Sequence, residues 1–392
     1  MRIVIAPDSF KESVSAPEAA RSIARGIRRA LPGARIEIVP MADGGEGTVE
    51  ALAGVLGARS VRVRVAGPLP GLRVLAPFAF ADRPVPTAVL EMAAASGLAL
   101  VLPRRRNPLR TTTLGTGEMI RAALDRGARR ILLGIGGSAT VDGGMGMASA
   151  LGVRFLDARG RAVEPTGAGL WRVDRIDASG RDARIRKTEV VVACDVTNPL
   201  CGPRGAAAVF GPQKGATPAM VRILDAGLRN LARVIRRDLG ADVLRLPGGA
   251  SAGGLGAGLV AFLGARLAPG IRMVMEAAEL PRRLRGADLA VTGEGSFDFQ
   301  SACGKVVSGV AAEARKAGVP LLVLAGRLGR DYRKALPPGA ACFSIAPGPC
   351  SLDDSLRNAA AWLEAAAEQA AQAFLLGKKS KAGVALRGGS EV

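Results

Sequence analysis

Short apolar runs that end in loops of glycine and carboxylate recur from one end of this 392-residue chain to the other. Arg2 to Ala6 leads into Pro7-Asp8-Ser9-Phe10-Lys11. Arg35 to Val39 leads into Ala42-Asp43-Gly44-Gly45-Glu46-Gly47, and Arg130 to Ile135 into Gly136 to Gly144. Glu189 to Ala193 ends in Cys194-Asp195, and Ala287 to Val291 in Thr292-Gly293-Glu294-Gly295-Ser296-Phe297-Asp298. Helical patterns separate these runs. The repetition of strand, loop and helix predicts an α/β fold with a parallel sheet covered on both faces. In such sheets, ligands bind beyond the carboxyl ends of the strands, where these loops lie.

Helix signals fit the same frame. Ser15 with Glu18 has the form of a capping box, and Leu31-Pro32-Gly33 ends that helix. Thr217, Pro218 and Gly240 bracket a long helix. Ser351 with Asp354 opens the last one, whose apolar stripe runs from Leu356 to Phe374. Residues 60–110 differ: Val61, Val63 and Val65 alternate with arginines, and prolines become frequent, which predicts antiparallel or edge strands. The two ends therefore share one style and the middle another. We expect one domain built from residues 1–60 and 286–376, an inserted domain over 61–285, and a disordered tail over 377–392.

Composition excludes several chemistries. With no histidine, Ser-His-Asp triads and His-based zinc sites are impossible, so a general base must be Asp, Glu, Lys or water. Five cysteines with no CxxC spacing point to reduced thiols and a cytoplasmic protein. The apolar run that opens the chain is too short for a secretory signal, and the longest uncharged stretch, 247–265, is too rich in glycine for a membrane span. The net charge of +20 raises a non-catalytic, nucleic-acid-binding alternative. Against it, the positive residues are dispersed, aromatics for stacking are only 3% of the chain, and no recognition signature occurs. No nucleic-acid partner is expected.

Glycine loops admit anions to backbone N–H groups, carboxylates suit a phosphate-bound Mg²⁺, and lysines neutralise phosphoryl charge. Lysine occupies only nine positions, so a lysine within a glycine loop is informative. Together these features fit phosphoryl transfer. No Walker A motif is present, because Gly304-Lys305 is followed by Val306. Gly134 to Ala139 formally fits G-x-G-x-x-A, with Asp157 downstream, so an NAD-dependent dehydrogenase is an alternative; the nearby Asp142 argues against a bare pyrophosphate there.

The motifs resemble those of the bacterial type-I glycerate kinases. The resemblance runs through residues 5–11, 42–48, 91–98, 113–118, 134–144, 193–200, 210–216, 292–295 and 347–352, in order, over about residues 1–376. It implies ATP-dependent phosphorylation of D-glycerate with Mg²⁺, with 2-phosphoglycerate favoured over 3-phosphoglycerate. A kinase for another small hydroxy acid is the neighbouring alternative. It also implies a flavodoxin-like domain from the chain ends and an inserted mixed α/β domain, and it leaves a homodimer open.

On that basis Gly136, Gly137, Ser138, Thr140, Gly293, Glu294 and Gly295 are expected to hold ATP phosphates. Ser9, Asp43, Gly44, Gly45 and Glu46 are expected to bind substrate, and Glu294 with Asp298 to bind metal. Lys11 and Lys305 are expected to neutralise charge in the reaction. Asp195 is the candidate base, with Asp142 or Glu294 as alternatives. The chain departs from the family pattern at Glu12, where glycine is expected, at Val141, and through 296–303.

Overall fold

Apolar runs form the buried strands, and their order along the chain decides two sheets. The structure, a computed structural model, describes residues 1–45, 47–298 and 305–387. In chain order the strands are β1 (Arg2–Ile5), β2 (Arg35–Ile38), β3 (Arg59–Ala66), β4 (Arg73–Ala81), β5 (Thr87–Glu91) and β6 (Arg130–Gly134). They continue with β7 (Arg154–Leu156), β8 (Arg175–Asp177), β9 (Glu189–Ala193), β10 (Arg266–Ala268), β11 (Leu289–Phe297), β12 (Leu321–Leu328) and β13 (Ala340–Ser344). The chain divides into two compact units. The first comprises 1–43, 50–55 and 274–392, and the second 44–49 and 56–273.

The first unit carries a five-stranded sheet ordered β13-β12-β11-β1-β2, parallel throughout. Read from β2, this is the flavodoxin-like order, and the strand sequence reverses between β1 and β11. Ile3, Ile5, Leu289 and Val291 are buried with Ile23 and Ile27 of the Ala16–Ala30 helix and with Leu363 and Ala367 of the last helix. The two helices approach closely at Gly26, where a Cβ would stand 2.0 Å from the Glu364 carbonyl oxygen. Arg25 and Arg29 both pair with Glu364 beside that contact. Ser15 is the N-cap residue, yet its side chain makes no capping bond, so the expected box does not close.

Two further expectations change. Thr292 to Phe297, read as loop, continues β11 as strand, pairing Glu294 with Ala325 and Ser296 with Arg327. Gly293 there permits a close neighbour rather than a turn: a Cβ on it would lie 2.3 Å from the Leu324 oxygen. The last helix spans Leu352–Arg387 and so passes Gly377, where sequence reading ends it. One glycine weakens a helix by only about 1 kcal/mol. Lys378 is also anchored, by an ion pair with Asp288 at 2.9 Å and by the face of Phe374.

The second unit carries a mixed six-stranded sheet, β10-β9-β6-β5-β4-β3. Its first four strands pair in parallel, and β4 and β3 add an antiparallel edge, as the alternating valines predict. A separate β7-β8 hairpin pairs antiparallel. Phe78, Phe80, Leu90, Leu133 and Val192 lie in its core, and Phe155 meets Phe262 edge to face at 5.5 Å. Thr217 caps the Pro218–Leu239 helix as expected, accepting from the Met220 N–H.

The unit boundaries fall at 43/44, 49/50, 55/56 and 273/274 rather than near 60 and 286. The displaced piece at the far end includes the Leu280–Leu284 helix, and Arg2 donates to the Arg283 and Arg285 carbonyl oxygens, tying it to β1. Among the described residues no helix is long and apolar enough to cross a membrane.

Candidate active site

In the first unit, a cleft of about 360 Å³ opens where the strand order reverses. The loop after β1 contributes Asp8, Ser9, Phe10, Lys11 and Glu12. The end of β11 contributes Glu294, Gly295 and Ser296, and Asp43, Lys305, Arg327, Ser13 and Ser355 add further polar lining. The two walls are joined through the backbone, since Asp8 N–H donates to the Gly293 oxygen at 2.8 Å. A Cβ on Gly295 would stand in ordinary contact, 3.5 Å from the Lys11 backbone nitrogen, so the Lys11 loop lies against the strand there.

Six of the expected residues therefore share one cleft: Ser9, Lys11, Asp43, Glu294, Gly295 and Lys305. Asp298, one residue beyond β11, is not among the lining residues; its side chain packs near Gly329. Glu46 lies outside the described residues, as do Phe299 to Gly304.

Asp8 belongs to the cleft although sequence reading gave it no role. Its Oδ1 accepts from the Ser9 N–H at 2.7 Å. Burial, together with the negative charge of Asp43, pushes its carboxyl up to about 6 against the Ser9 hydrogen bond. Glu12 carries a φ of 64°, a left-handed backbone that disfavours a side chain with a Cβ. This is the position where glycine was expected, and the conformation supplies the reason.

The second unit holds the other expected residues. Gly136 and Gly137 are exposed at the end of β6, while Ser138, Thr140 and Asp142 are buried. Asp142 is 0% exposed and accepts four hydrogen bonds. These come from the Thr113 N–H at 2.7 Å, the Thr113 hydroxyl at 2.8 Å, and the Gly144 and Gly146 N–H groups at 3.1 and 3.2 Å. Burial raises its pKa, and the four donors oppose that rise.

Lys214, only 2% exposed, donates to Ser138 Oγ at 2.6 Å and to the Thr140 carbonyl oxygen at 2.8 Å. Burial pulls its ammonium down to about 7, while the charge of Asp142 pulls the other way. In the sequence Lys214 stands only within the 210–216 motif. Its place between Gln213 and Gly215 was the signal for it, given how few lysines the chain has.

Gly44 and Gly45 lie at the carboxyl ends of β6 and β9. A Cβ on Gly44 (φ +85°) would stand 2.3 Å from the Ala193 Cβ, and Gly45 approaches Gly136. At the end of β5, Glu91 accepts from the Val49 N–H at 2.9 Å, holding this segment down. Asp195 is exposed just past β9, and its Oδ1 accepts from the Gly270 N–H at 2.9 Å.

The geometry disfavours a dinucleotide fold here. Asp157 is occupied within its own turn by the Arg159 and Arg161 N–H groups. The helix that follows Gly134 to Ala139 does not begin until Met145 and spans only Met145–Ala150.

Comparison with known proteins agrees with the kinase chemistry. Residues 3–375 match the model of the glycerate kinase family. A glycerate kinase of Halalkalibacterium halodurans is 48% identical over 94% of this chain and 97% of its own. The glycerate 2-kinase of Escherichia coli is 47% identical over 92% of this chain and 94% of its own. A solved chain from Salmonella typhimurium LT2, described as a glycerate kinase 2, superposes with a TM-score of 0.89 at 48% identity. It covers 97% of this chain and 99% of that one.

Proposed function

The chain belongs to the glycerate kinase family and phosphorylates glycerate with ATP, and on that premise we propose that it converts D-glycerate to 2-phosphoglycerate. The name of the Escherichia coli relative supports position 2. The observation that carries the reading is the cleft at the reversal of the five-stranded sheet. It gathers two lysines, Lys11 and Lys305, with Asp8, Asp43 and Glu294 around a space sized for a small ligand.

In the reaction the glycerate hydroxyl oxygen attacks the γ-phosphorus, the bond to the ADP oxygen breaks, and the hydroxyl proton passes to a carboxylate. The transition state is loose, so positioning and charge neutralisation carry most of the rate. Lys11 and Lys305, both exposed in the cleft, neutralise carboxylate or phosphoryl charge. Ser9 and Asp43 orient the substrate; the Gly44-Gly45 segment, with Glu46, is its other expected contact. Gly136 and Gly137, with Ser138 and Thr140 behind them, offer backbone to ATP phosphates, as do Gly293 and Gly295.

Asp195 remains the candidate base, as an exposed carboxylate just past the carboxyl end of β9. Asp142 is better read as a positioning residue, since it is fully enclosed and already accepts four hydrogen bonds.

Mg²⁺ fits the donor set. It takes one or two carboxylates and completes its octahedron with waters and phosphate oxygens. Glu294 would hold it, with Asp298 as the further ligand. No group of three metal-ligating side chains occurs among the described residues, which suits an ion that arrives with the nucleotide. When bound, it would neutralise phosphate charge. A cytoplasmic location, no nucleic-acid partner and a homodimer complete the proposal.

The test is incubation with ATP, Mg²⁺ and D-glycerate, followed by phosphorus NMR of the product. Phosphate on carbon 3 would overturn the regiochemistry, and absence of glycerate-dependent ADP release would overturn the reading itself. Asp195→Asn separates the base from its rivals: kcat should collapse while ATP binding persists. A variant with the parent kcat would remove Asp195 from the mechanism.

A further inference from the structure

Four arginines fall within seven residues at 104–110, and together they line one pocket of about 330 Å³ in the second unit. Leu69 and Pro70 form part of its wall. Arginines elsewhere in this chain are commonly neutralised: Arg25 and Arg29 pair with Glu364, Arg184 with Asp125 and Asp182, and Arg237 with Asp238. By contrast, Arg104, Arg105, Arg106 and Arg110 form no ion pair with a described carboxylate. Like charges crowded without counter-charge repel one another, so the fold holds this arrangement against its electrostatics.

Arg106 adds a second, independent sign. Its Nε is buried and has no hydrogen-bond acceptor among the described residues. A guanidinium N–H removed from water ordinarily has an acceptor, and a planar guanidinium fork matches phosphate oxygens.

The backbone that carries these side chains is closely fixed. Arg105 N–H donates to the Leu102 oxygen at 2.8 Å and Arg110 N–H to the Asn107 oxygen at 3.0 Å. Asn107 Oδ1 accepts from the Leu109 N–H at 3.0 Å. Gly215 sits against Arg106 so tightly that a Cβ there would stand 2.5 Å from the Arg106 carbonyl oxygen.

The same segment connects to the loop after β6 on two sides. Next to Gly215, Lys214 bonds Ser138 and Thr140. Just beyond Arg110, Thr111 donates to the Ala139 oxygen at 3.0 Å, and Thr113 donates to Asp142. An anion that drew the arginines together would therefore act on a segment bonded directly to the 136–142 loop.

We propose that the Arg104–Arg110 pocket is a binding site for the phosphate groups of a polyphosphorylated small molecule. The site is concave and small, which suits a compact anion better than an extended polymer. Two sources share this chemistry: the phosphate chain of the reaction's own nucleotide, and a separate phosphorylated effector. The proposal concerns binding and stands whether or not glycerate is the acceptor.

The probe is inorganic pyrophosphate, titrated calorimetrically into the full chain and into Arg104→Gln/Arg105→Gln/Arg110→Gln. These three side chains are exposed, so the variant should fold, and circular dichroism checks that it does. The parent should bind one more equivalent than the triple variant, and that increment should weaken steeply with added salt. A single Arg106→Gln change should weaken the same increment at least tenfold. Equal stoichiometry and affinity in parent and variants would overturn the proposal.

Repeating the titration with a saturating non-hydrolysable ATP analogue distinguishes the sources. Loss of the increment, with a raised KM for ATP in the variant, assigns the pocket to the nucleotide. Persistence of the increment assigns it to an effector. A glycerate-dependent ADP assay, run separately, reports on the kinase reading without touching this one.

Discussion

Asp8 and Asp142 are both carboxylates withdrawn from water near the carboxyl ends of strands, yet their surroundings assign them opposite work. Asp142 has four donors, and an ionised carboxylate offers about four acceptor sites. Three of the donors fall on Oδ2 and one on Oδ1, and the side chain is fully enclosed, closed off from a ligand. Its charge is used to hold Thr113, Gly144 and Gly146 in place. Among the described residues Asp8 has only Ser9 as its donor; it lines an open cleft and faces the like charge of Asp43. The second unit thus holds a saturated acid that shapes a loop. The first holds an acid with fewer described donors, open to a cleft. The lesson is that burial alone does not mark a catalytic carboxylate; the count of filled acceptor sites does.

The sharpest way to break this contrast is in the cleft. Lys11→Met should lower kcat by about a thousandfold, the scale of a lost phosphoryl-stabilising cation, with the thermal midpoint unchanged. Parent-like turnover in steady-state assays would move the chemistry elsewhere.

Asp142→Ala should do the reverse, removing about 3 kcal/mol of stability by orphaning buried donors. Urea denaturation reads it directly. A stable variant with abolished turnover would return Asp142 to the catalytic list.

Asp8→Asn tests the pH side of the comparison. The folded carboxyl, near 6, binds its proton more tightly than the unfolded one, with its ordinary value of 3.8. Its contribution to stability is therefore full below about 4 and lost as pH rises through 6. The neutral amide should stabilise the fold by about 1–2 kcal/mol at pH 7 and be silent at pH 4. The same substitution should remove a limb of the kcat/KM profile near pH 6. A parent profile with no such limb would take the Asp8 charge out of the reaction.

The smallest effect concerns Glu12, which lines the same cleft in a left-handed backbone. Glu12→Gly should gain about 0.5–1 kcal/mol by relieving that conformation. Calorimetry should show a slightly higher Tm, and a lower one would mean that the Glu12 side chain makes contacts that outweigh the strain.

Much of the architecture was legible without coordinates, for local reasons. Continuous apolar runs read as buried parallel strands because both faces of each are covered. The alternating Val61, Val63 and Val65 read as a half-exposed strand and became part of the antiparallel edge. Thr217 with Pro218 marked a helix start because capping is decided within one turn. Other features were not legible. Thr292 to Phe297 reads as a glycine loop, and only its pairing partner β12 makes it strand. Ser15 and Glu18 have the spacing of a capping box, but the Ser15 side chain makes no capping bond. Gly377 reads as a helix stop, and the contacts of Lys378 with Asp288 and Phe374 show order beyond it.

The site divides along the same line. By itself the sequence determined the chemical inventory: no histidine, few lysines, and glycine-and-acid segments after strands, in the order of one kinase family. Those are properties of residue identity and short spacing, which the chain carries whether folded or not. Only tertiary structure decided which acids are open and which are spent. Asp8 and Asp43 meet in one cleft from loops 35 residues apart. Asp142 receives two of its four donors from Thr113, and Lys214 reaches back to Ser138. Availability of an acceptor site depends on partners that are remote in sequence, and only packing brings those partners within hydrogen-bonding distance.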